Sequence, residues 1–331
     1  MILAGIDIGT NTIRLLIADV SDEGNCELYS GRIIARLGRD LDRTGLLSDE
    51  AQERSLAALQ EFSRVICRFP GCVTKAIGTS ALRNARNSAS FLKMVKDRCD
   101  IDINIISGEE EARLTLQGVR RVLSRGKRPE RDPLRSALIA DVGGGSTELI
   151  ITRQGVPESV VSLPLGAVYL TERYLHGDPP AKEELEVLQN EIMLNLDAWE
   201  IDLRRSRSTL AEQVPVIAGT AGTITTLASM AMELTNYEPD RINGSVLSRG
   251  SLDNLIGRLA CSTIEERKSI AGLESGREDI ILAGAMVVRD ILCRSGKEEM
   301  VVSDWGLREG IVFDLYERMR SREGMIMRDN G

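Results

Sequence analysis

The chain opens with ILAGIDIGTNT (residues 2–12), and a second apolar run, LLIADV (residues 15–20), follows two residues later. A run of apolar and β-branched residues that stops at a glycine and hydroxyl side chains is typical of a strand ending in a tight turn. The second run then returns as the other strand of a hairpin. We therefore predict that the chain begins with two paired strands joined by a glycine turn.

The same pattern occurs again in the middle of the chain, in ALIADVGGGSTELIIT (residues 137–152). In both copies an aspartate, Asp7 or Asp141, stands two residues before the first glycine of the turn. A third strand is predicted after each hairpin, at 28–37 and at 158–165. The repeat indicates two copies of one α/β unit that begins with a hairpin.

The rest of the chain divides between these two units. Periodicity and capping signals predict strands at 73–78 and 101–106 and a strand with its turn at 300–306. They predict helices at 80–97, 107–122, 224–234 and 307–320. The polar stretch 124–133 has no periodicity, and we interpret it as the connection between domains. The first domain is predicted to comprise 1–123 and 305–331, closed by the C-terminal helix, and the second to comprise 124–304.

The composition excludes several kinds of chemistry. The 331 residues include 42 Lys and Arg against 50 Asp and Glu, a net charge of −8, and a single histidine, His176. Histidine-rich zinc sites, two-histidine phosphohydrolase centres and histidine phosphoenzymes need more imidazoles than this. We therefore expect the chemistry to use carboxylates, backbone amides and a metal or cofactor.

The chain shows no sign of export or membrane insertion. Its six cysteines include no Cys-x-x-Cys pair, which is typical of reduced thiols in a cytosolic protein. No run approaches the roughly 18 uncharged apolar residues of a membrane helix, and Asp7 interrupts the apolar run that a signal peptide needs. We expect a cytoplasmic protein that binds neither membrane nor nucleic acid.

The glycine turns are candidate phosphate sites, and a third one occurs in VPVIAGTAGT (residues 214–223). In a turn of small residues several backbone N–H groups converge, and no side chain keeps a phosphate oxygen away from them. All three turns also carry Thr or Ser beside the glycine, which predicts an extended phosphate-bearing ligand. The residues predicted to bind its phosphate groups are Thr10, Asn11, Arg14, Gly143, Gly144, Gly145, Ser146, Gly219, Thr220, Gly222 and Thr223.

Two of the turns also have carboxylates beside them. Asp7, Asp141 and Glu148 lie next to the predicted phosphate sites. Proteins usually hold Mg²⁺ with one or two carboxylates, waters and the oxygens of the substrate. We predict these three residues to be ligands of Mg²⁺, which Mn²⁺ could replace.

Rival phosphate chemistries fit the sequence poorly. The chain lacks the Gly-x4-Gly-Lys-Ser/Thr pattern of P-loop proteins. Cys26 and Cys261 each precede an arginine by six residues, the spacing of cysteine phosphatases, but such spacing arises by chance in an arginine-rich chain.

The acidic run Glu109 to Glu111 contains the candidate general base. Ser107 and Glu110 have the spacing of a capping box, so helix initiation explains Glu110. Glu111 is not needed for the cap and is predicted to point elsewhere. We predict Glu111 to be the base, with Glu110 as the alternative.

Eight motifs together closely resemble the exopolyphosphatase and guanosine pentaphosphate phosphatase family. They are IDIGTNTIRL (6–15), RLG (36–38), TSALRNA (79–85), ISGEEEA (106–112), DVGGGSTE (141–148), PLGAV (164–168), GTAGT (219–223) and SDWGLREG (303–310). The resemblance implies a duplicated RNase H-like α/β fold of the actin-like ATPase and sugar kinase superfamily. It places the active site in a cleft between the two domains.

The resemblance also implies an activity and roles for residues. The activity is Mg²⁺-dependent release of the terminal phosphate of linear inorganic polyphosphate, or conversion of guanosine pentaphosphate to guanosine tetraphosphate in the stringent response. Glu111 looks like the catalytic glutamate, with Glu110 as the alternative alignment, and Arg83 like the arginine that engages the chain. Asp141 and Glu148 look like carboxylates on the metal side. A homodimer is compatible with this family.

Cations are needed because the substrate is a polyanion and the net charge of the protein is negative. Screening over about 8 Å lets nearby arginines outweigh distant carboxylates. The candidates are Arg14, Arg36, Arg39, Arg83 and Arg86, with Arg125, Lys127 and Arg128 of the connection more simply explained as a solvated surface.

Several alternatives stay open at this point. The chain resembles the short, two-domain form of the family, so long-chain binding and processivity are open. So is the preference between polyphosphate and guanosine pentaphosphate. A nucleotide-dependent kinase or ATPase of the same superfamily is a second class of function. A non-catalytic sensor of guanosine tetraphosphate or pentaphosphate is a third.

Overall fold

The computed structural model describes residues 1–124, 132–205 and 214–329. These residues form two compact units, Met1–Gly118 with Gly306–Gly331, and Val119–Trp305. Most of the predicted connection, 125–131 with its cations Arg125, Lys127 and Arg128, lies outside the described residues. Within the described part of the chain, no helix is both long enough and apolar enough to cross a bilayer.

Strands of both units are numbered in chain order. They are β1 (Ile2–Ile8), β2 (Thr12–Val20), β3 (Asn25–Ile34), β4 (Val73–Gly78), β5 (Ile103–Ile105), β6 (Ala137–Val142), β7 (Thr147–Arg153), β8 (Val156–Leu163), β9 (Val216–Thr220), β10 (Val246–Ser248) and β11 (Glu299–Val302).

The described helices are numbered in the same way. They are α1 (Leu41–Thr44), α2 (Asp49–Ile66), α3 (Ser80–Asn84), α4 (Ser88–Cys99), α5 (Gly108–Leu123), α6 (Ala167–Tyr174), α7 (Lys182–Arg205), α8 (Ala221–Ala231), α9 (Pro239–Ile242), α10 (Arg249–Ala260), α11 (Ile264–Arg267), α12 (Ile281–Arg294) and α13 (Leu307–Asp329).

The first unit is built on a five-stranded sheet of order β3-β2-β1-β4-β5. The strands β1, β2 and β3 form an antiparallel meander, while β4 and β5 run parallel to β1. The interior of β1 is buried from Leu3 to Ile8, as expected for a central strand covered on both faces. The predicted opening hairpin is therefore confirmed as the centre of this sheet.

The second unit repeats this arrangement with a six-stranded sheet of order β10-β11-β9-β6-β7-β8. Again three strands, β6, β7 and β8, form an antiparallel meander, and β9 runs parallel to the first of them. The two sheets thus share the order of their first four strands. This confirms the predicted duplicated RNase H-like α/β fold class, with one copy in each unit.

One segment predicted as a continuous helix is interrupted in the structure. The segment predicted as a single helix at 80–97 forms α3 and α4 with a break at Ala85, whose φ of −78° and ψ of 128° are extended. The side chain of Asn87 accepts from the backbone N–H of Leu47 and donates to its carbonyl, both at 2.9 Å. These tertiary bonds fix the loop after α1, and they outweigh local helix propensity.

The third strand of the first unit also ends earlier than predicted. The strand predicted at 28–37 occupies Asn25–Ile34, because the chain leaves the sheet at Ala35. Arg36 has a φ of 50°, and its N–H donates to the carbonyl of Asn11 at 2.9 Å. The segment after β3 therefore turns back onto the first glycine turn.

Two helices of the first unit meet backbone to backbone. A Cβ added at Gly310 of α13 would lie far inside van der Waals contact with the carbonyl oxygen of Leu114 in α5. A Cβ at Gly118 would meet the carbonyl oxygen of Gly306 in the same way. Only glycine permits this approach, so α13 completes the first unit by packing closely on α5.

The close approach of α13 to α5 predicts that alanine substitutions at two helical glycines change the free energy of unfolding in opposite directions. Gly310→Ala should lower the free energy of unfolding by roughly 1–3 kcal/mol, because backbone must move to admit the methyl group. Gly257→Ala is the matched control, since nothing lies within 4 Å of its added Cβ in α10, and helix propensity should raise stability by about 0.5–1 kcal/mol. Urea unfolding of both variants measures this. Equal effects would contradict the packing described.

Candidate functional site

The first glycine turn connects β1 to β2 and is held by its own backbone. The N–H of Gly9 donates to the carbonyl of Thr12 at 3.1 Å, and that of Gly38 donates to the carbonyl of Thr10 at 2.9 Å. With the bond from Arg36 to Asn11, the segment after β3 binds two carbonyls of the turn. Carbonyl oxygens would repel a phosphate. A turn whose carbonyls accept hydrogen bonds from the protein is therefore better suited to bind an anion.

Two side chains of this turn are buried without a hydrogen-bond partner among the described residues. Thr10 is 7% exposed and Asn11 is 5% exposed. The Thr10 Oγ1 and the Asn11 Nδ2 have no partner there. Because buried polar groups are almost always hydrogen bonded, each such atom needs an explanation. A hydroxyl and an amide N–H₂ are donors suited to phosphate oxygens.

The second glycine turn connects β6 to β7 and has the same design. The N–H of Gly143 donates to the carbonyl of Ser146 at 3.0 Å. The carbonyl of Gly143 accepts from Ala167 at 2.9 Å, and that of Gly144 accepts from Val168 at 2.8 Å. The first amides of α6 therefore bind the carbonyls of this turn.

Gly166 is what allows the approach of α6. A Cβ at this position would overlap the backbone of Gly144 and Gly145. The motif PLGAV is thus explained by the packing of the helix start on the turn rather than by a direct role in binding.

A row of polar residues crosses the second sheet beside this turn. Asp141 of β6 lies opposite Glu148 of β7 and, on its other side, opposite Thr220 of β9. Glu148 lies in turn opposite Ser162 of β8, whose Oγ donates to the Glu148 Oε1 at 2.7 Å. Both carboxylates are more than nine-tenths buried.

The side chains of this row can be compared with the ligands that a metal ion needs. Among the described residues, no group of three or more His, Cys, Asp and Glu is placed to hold a metal ion. Two hard oxygen donors on neighbouring strands nevertheless match the one or two carboxylates that Mg²⁺ uses with waters and phosphate oxygens. Asp141 and Glu148 therefore fit Mg²⁺ as a pair, and Ser162 orients one of them. Asp7 belongs to the other unit, beside the first glycine turn.

The third glycine turn differs from the prediction, because the helix begins three residues earlier. Gly222 and Thr223 belong to the first turn of α8, which starts at Ala221. Ala221 has a φ of 73°, a left-handed conformation that is strained for a residue with a Cβ. The methyl group of Thr223 packs against Gly284 of α12, where an added Cβ would overlap it.

The hydroxyl of Thr220 forms a hydrogen bond within the second unit. Its Oγ1 donates to the carbonyl of Trp305 at 3.0 Å, and the N–H of Ser303 donates to the carbonyl of Gly219 at 2.8 Å. The first residues of the motif SDWGLREG, Ser303 and Trp305, therefore hold the third glycine turn in place at the end of β9.

Glu111 is buried and paired with an arginine of the first unit. Its side chain is 10% exposed, and the Glu111 Oε2 lies 3.2 Å from the Arg83 Nη1. The same Nη1 donates to the carbonyl of Ile106 at 2.7 Å, just before α5 begins. The motifs TSALRNA and ISGEEEA thus lie together, because each contributes one partner of this ion pair. The carbonyl of Ile106 fixes the guanidinium group of Arg83.

Glu110 lies in different surroundings. Its N–H donates to the Ser107 Oγ at 3.2 Å, as the capping pattern predicts, and its carboxylate, 37% exposed, is 3.1 Å from Arg113. Arg113 also donates to Asp314 of α13 at 2.8 Å, as does Lys75 of β4. These contacts indicate a structural role for Glu110.

Asp314 is the centre of that network, and no sequence pattern indicated it. Burial raises the pKa of Asp314, but hydrogen bonds from Lys75 and Arg113 bring this pKa below its ordinary value. Lys75 and Asp314 are 239 positions apart, so no local pattern could reveal the pair. Ser162 was missed for a similar reason, because only the register of β7 and β8 places it beside Glu148.

The remaining candidate cations of the first unit lie around the first turn and α1. Arg14 is on β2, opposite Asp7. Arg86 donates to the carbonyl of Thr44 at 2.8 Å, which gives it a structural task. Arg39 is exposed and lies 4.0 Å from Asp40.

Comparison with known proteins gives consistent results. A sequence model of the Ppx/GppA phosphatase family matches residues 16–319. Exopolyphosphatase 2 of Mycobacterium tuberculosis is 32% identical over 326 residues, covering 95% of this chain and 98% of the relative.

Solved structures agree with this. An exopolyphosphatase-like protein is 32% identical with a TM-score of 0.87, covering 96% of this chain and 98% of the other. A Ppx/GppA family member from Aquifex aeolicus is 31% identical with a TM-score of 0.76, over the same shares of the two chains.

The orphaned hydroxyl of Thr10 leads to a prediction about stability. Thr10→Val removes a buried oxygen that has no partner among the described residues, so the free energy of unfolding without ligand should stay the same or rise by up to about 2 kcal/mol. Thr147→Val is the matched control. The Thr147 Oγ1 is buried and donates to the carbonyl of Leu165 at 2.7 Å, so its loss should destabilise by about 1–2 kcal/mol. Denaturant unfolding measures both, and a large loss in Thr10→Val would assign its hydroxyl a structural partner.

Proposed function

The chain belongs to the Ppx/GppA phosphatase family, and from this we propose that it releases the terminal phosphate of linear inorganic polyphosphate with the help of Mg²⁺. The observation that carries the proposal is the buried pair of Glu111 and Arg83. Family relatives whose names identify them as exopolyphosphatases support polyphosphate as the substrate. They do not support the alternative of a kinase or ATPase.

Binding of the terminal phosphoryl group is assigned to the glycine turns. Phosphoryl transfer needs mainly positioning and charge neutralisation, which backbone amides and buried donors supply. The Thr10 Oγ1 and the Asn11 Nδ2, which have no partner in the described part of the chain, support this assignment for the first turn. In the second turn we propose Ser146 and the backbone N–H groups of Gly144 and Gly145 as phosphate donors, because the N–H of Gly143 is bound to the carbonyl of Ser146.

The chemical step is hydrolysis of a phosphoanhydride bond. The oxygen of a water molecule forms a bond to the terminal phosphorus, and the bond to the bridging oxygen breaks. The shortened chain leaves with that electron pair. In our proposal Glu111 takes the proton from the water, and Arg83 holds the carboxylate in place.

The proposed metal ligands of the second unit are Asp141 and Glu148, and Asp7 stays a ligand predicted from the sequence. Bound Mg²⁺ would neutralise charge on the phosphoryl oxygens. Ser162 keeps the Glu148 carboxylate in one orientation through its hydrogen bond to Oε1.

Guanosine pentaphosphate is the second proposed substrate. It carries a terminal phosphoryl group in the same anhydride linkage, so the same step yields guanosine tetraphosphate. Phosphate release from long polyphosphate, tripolyphosphate, guanosine pentaphosphate and ATP, compared in one assay, tests the proposal and ranks the substrates. Release from none of them would reject it.

The assignment of the base predicts different outcomes for two adjacent glutamates. Glu111→Gln keeps the size of the side chain but removes the proton acceptor, so turnover should fall roughly 10²- to 10⁴-fold with folding intact. Glu110→Gln is the matched control and should mainly weaken the ion pair with Arg113, by at most about 1 kcal/mol. Phosphate release and thermal unfolding measure the two effects. Reversed effects would show that Glu110 is the base.

The assignment of the metal predicts that a chelator abolishes activity. Asp7, Asp141 and Glu148 offer hard oxygen donors, which suit Mg²⁺ and Mn²⁺. Activity should return when either ion is added in excess over the chelator, and Mn²⁺ binding to the protein alone can be followed by its paramagnetic resonance signal. Full activity in metal-free buffer would refute the assignment.

A further inference from the structure

Residues 35–47, the 35–47 loop, lead from β3 toward α2 and lie against the first glycine turn. The N–H of Arg36 donates to the carbonyl of Asn11 at 2.9 Å. The N–H of Gly38 donates to the carbonyl of Thr10, also at 2.9 Å. Because these bonds join two backbone groups of the loop to two of the turn, the position of the loop sets the position of the turn.

Gly38 of this loop also decides how the side chain of Thr10 is oriented. A Cβ added at Gly38 would overlap the Thr10 Cγ2, so the methyl group of Thr10 packs directly on the glycine. The methyl and the hydroxyl share one Cβ atom and occupy staggered positions around it. Holding the methyl on Gly38 therefore fixes the direction of the Thr10 Oγ1, which is buried and has no partner among the described residues.

The far end of the 35–47 loop is anchored by the side chain of Asn87. The Asn87 Oδ1 accepts from the N–H of Leu47, and the Asn87 Nδ2 donates to the carbonyl of Leu47, both at 2.9 Å. Hydrogen-bonded residues on antiparallel strands exchange the same pair of bonds. Gln52 donates to the same carbonyl at 3.0 Å. A side chain 40 positions away in the sequence therefore holds the end of the loop.

The segment that carries Asn87 also carries Arg83. Arg83 belongs to α3, four positions before Asn87, and forms the ion pair with Glu111. The same helix touches the 35–47 loop, because the Cβ of Ala81 would lie 3.4 Å from a Cβ added at Gly38. This one segment therefore links the loop to the candidate catalytic pair.

We propose that Asn87 is a positioning residue for substrate binding. By anchoring the 35–47 loop, its amide keeps Gly38 against Thr10 and so aims the Thr10 hydroxyl at a bound phosphoryl group. In this role Asn87 acts through Thr10 and has no contact with the substrate. The inference deepens the proposed function and rests on it, since the first glycine turn must bind phosphate. Loss of the amide should then weaken substrate binding and leave proton transfer to Glu111 intact.

The test is calorimetric binding of tripolyphosphate, with Mg²⁺ present, to the full-length Glu111→Gln variant, which should consume little of the ligand. Adding Asn87→Ala should weaken binding roughly tenfold, because the misplaced hydroxyl forfeits about one hydrogen bond to the ligand. In the active enzyme Asn87→Ala should raise KM by a similar factor, while kcat changes less than about threefold. Unchanged affinity in Asn87→Ala would overturn the inference.

A double-mutant cycle tests whether Asn87 acts through Thr10. Thr10→Val removes the hydroxyl that the loop aims, so it should weaken tripolyphosphate binding by itself. Once that hydroxyl is gone, Asn87→Ala should have little further effect, and the two substitutions should be clearly non-additive. Additive effects on the free energy of binding would refute the route through Thr10.

Gly38→Ala tests the same link from the loop side, so that the result does not depend on the folding of Asn87→Ala. The added methyl group would displace the side chain of Thr10. Gly38→Ala should therefore weaken tripolyphosphate binding as well. Parent-like affinity in this variant would contradict the inference, because the orientation of Thr10 would then not depend on the loop.

Ser63→Ala is the matched control for a lost hydrogen bond in the same unit. The Ser63 Oγ donates to the carbonyl of Cys99 at 3.1 Å, which ties α2 to the end of α4. This variant should lose stability in thermal unfolding but keep the parent affinity for tripolyphosphate. If Ser63→Ala and Asn87→Ala weaken binding alike, Asn87 has a structural role only and the inference is refuted.

Failure of the proposed function would look different. If the parent protein binds no tripolyphosphate, the proposed function is rejected and the inference falls with it. If the parent binds tripolyphosphate without hydrolysing it, the proposed hydrolysis is rejected, while weaker binding by Asn87→Ala still supports the positioning role. If binding and hydrolysis are both normal in Asn87→Ala, only the inference fails.

Discussion

The carbonyl oxygens of the first two glycine turns are hydrogen bonded within the protein, and the candidate site depends on this. In the first turn the acceptors are Thr10 and Asn11, bound by the segment after β3. In the second they are Gly143 and Gly144, bound by the start of α6. A turn whose carbonyls are already occupied presents a favourable surface to an anion. Because the bonds come from segments distant in sequence, each turn is held by the fold of its whole unit.

Duplication has kept this backbone frame and changed the side chains on it. Both units place an aspartate at the same position of the first strand of the meander, Asp7 and Asp141. The neighbouring strands carry arginines in one unit and Glu148 with Ser162 in the other. The two copies of the frame therefore carry different charged side chains at equivalent positions.

Sequence patterns correctly predicted the features that are decided by interactions between residues close together in the chain. The two hairpins and the Ser107 cap are formed as predicted, since alternation and capping act within a few residues. The break at Ala85 and the early start of α8 were not predicted, because tertiary hydrogen bonds and packing decide them. Partners of the candidate site such as Ser162 become visible only when strand register is known. The roles of Glu111 and of the metal ligands stay predictions.

The packing of α13 on α5 also bears on how the chain folds as it is made. The second unit is one continuous segment, Val119–Trp305, and can form as soon as it has been synthesised. The first unit is completed by the packing of Gly310 against Leu114, so this packing waits for the last helix to emerge from the ribosome. During synthesis the half that contains Glu111 is therefore completed last. A nascent chain would therefore complete the sheet of the second unit, including β11, shortly before α13 can pack on α5.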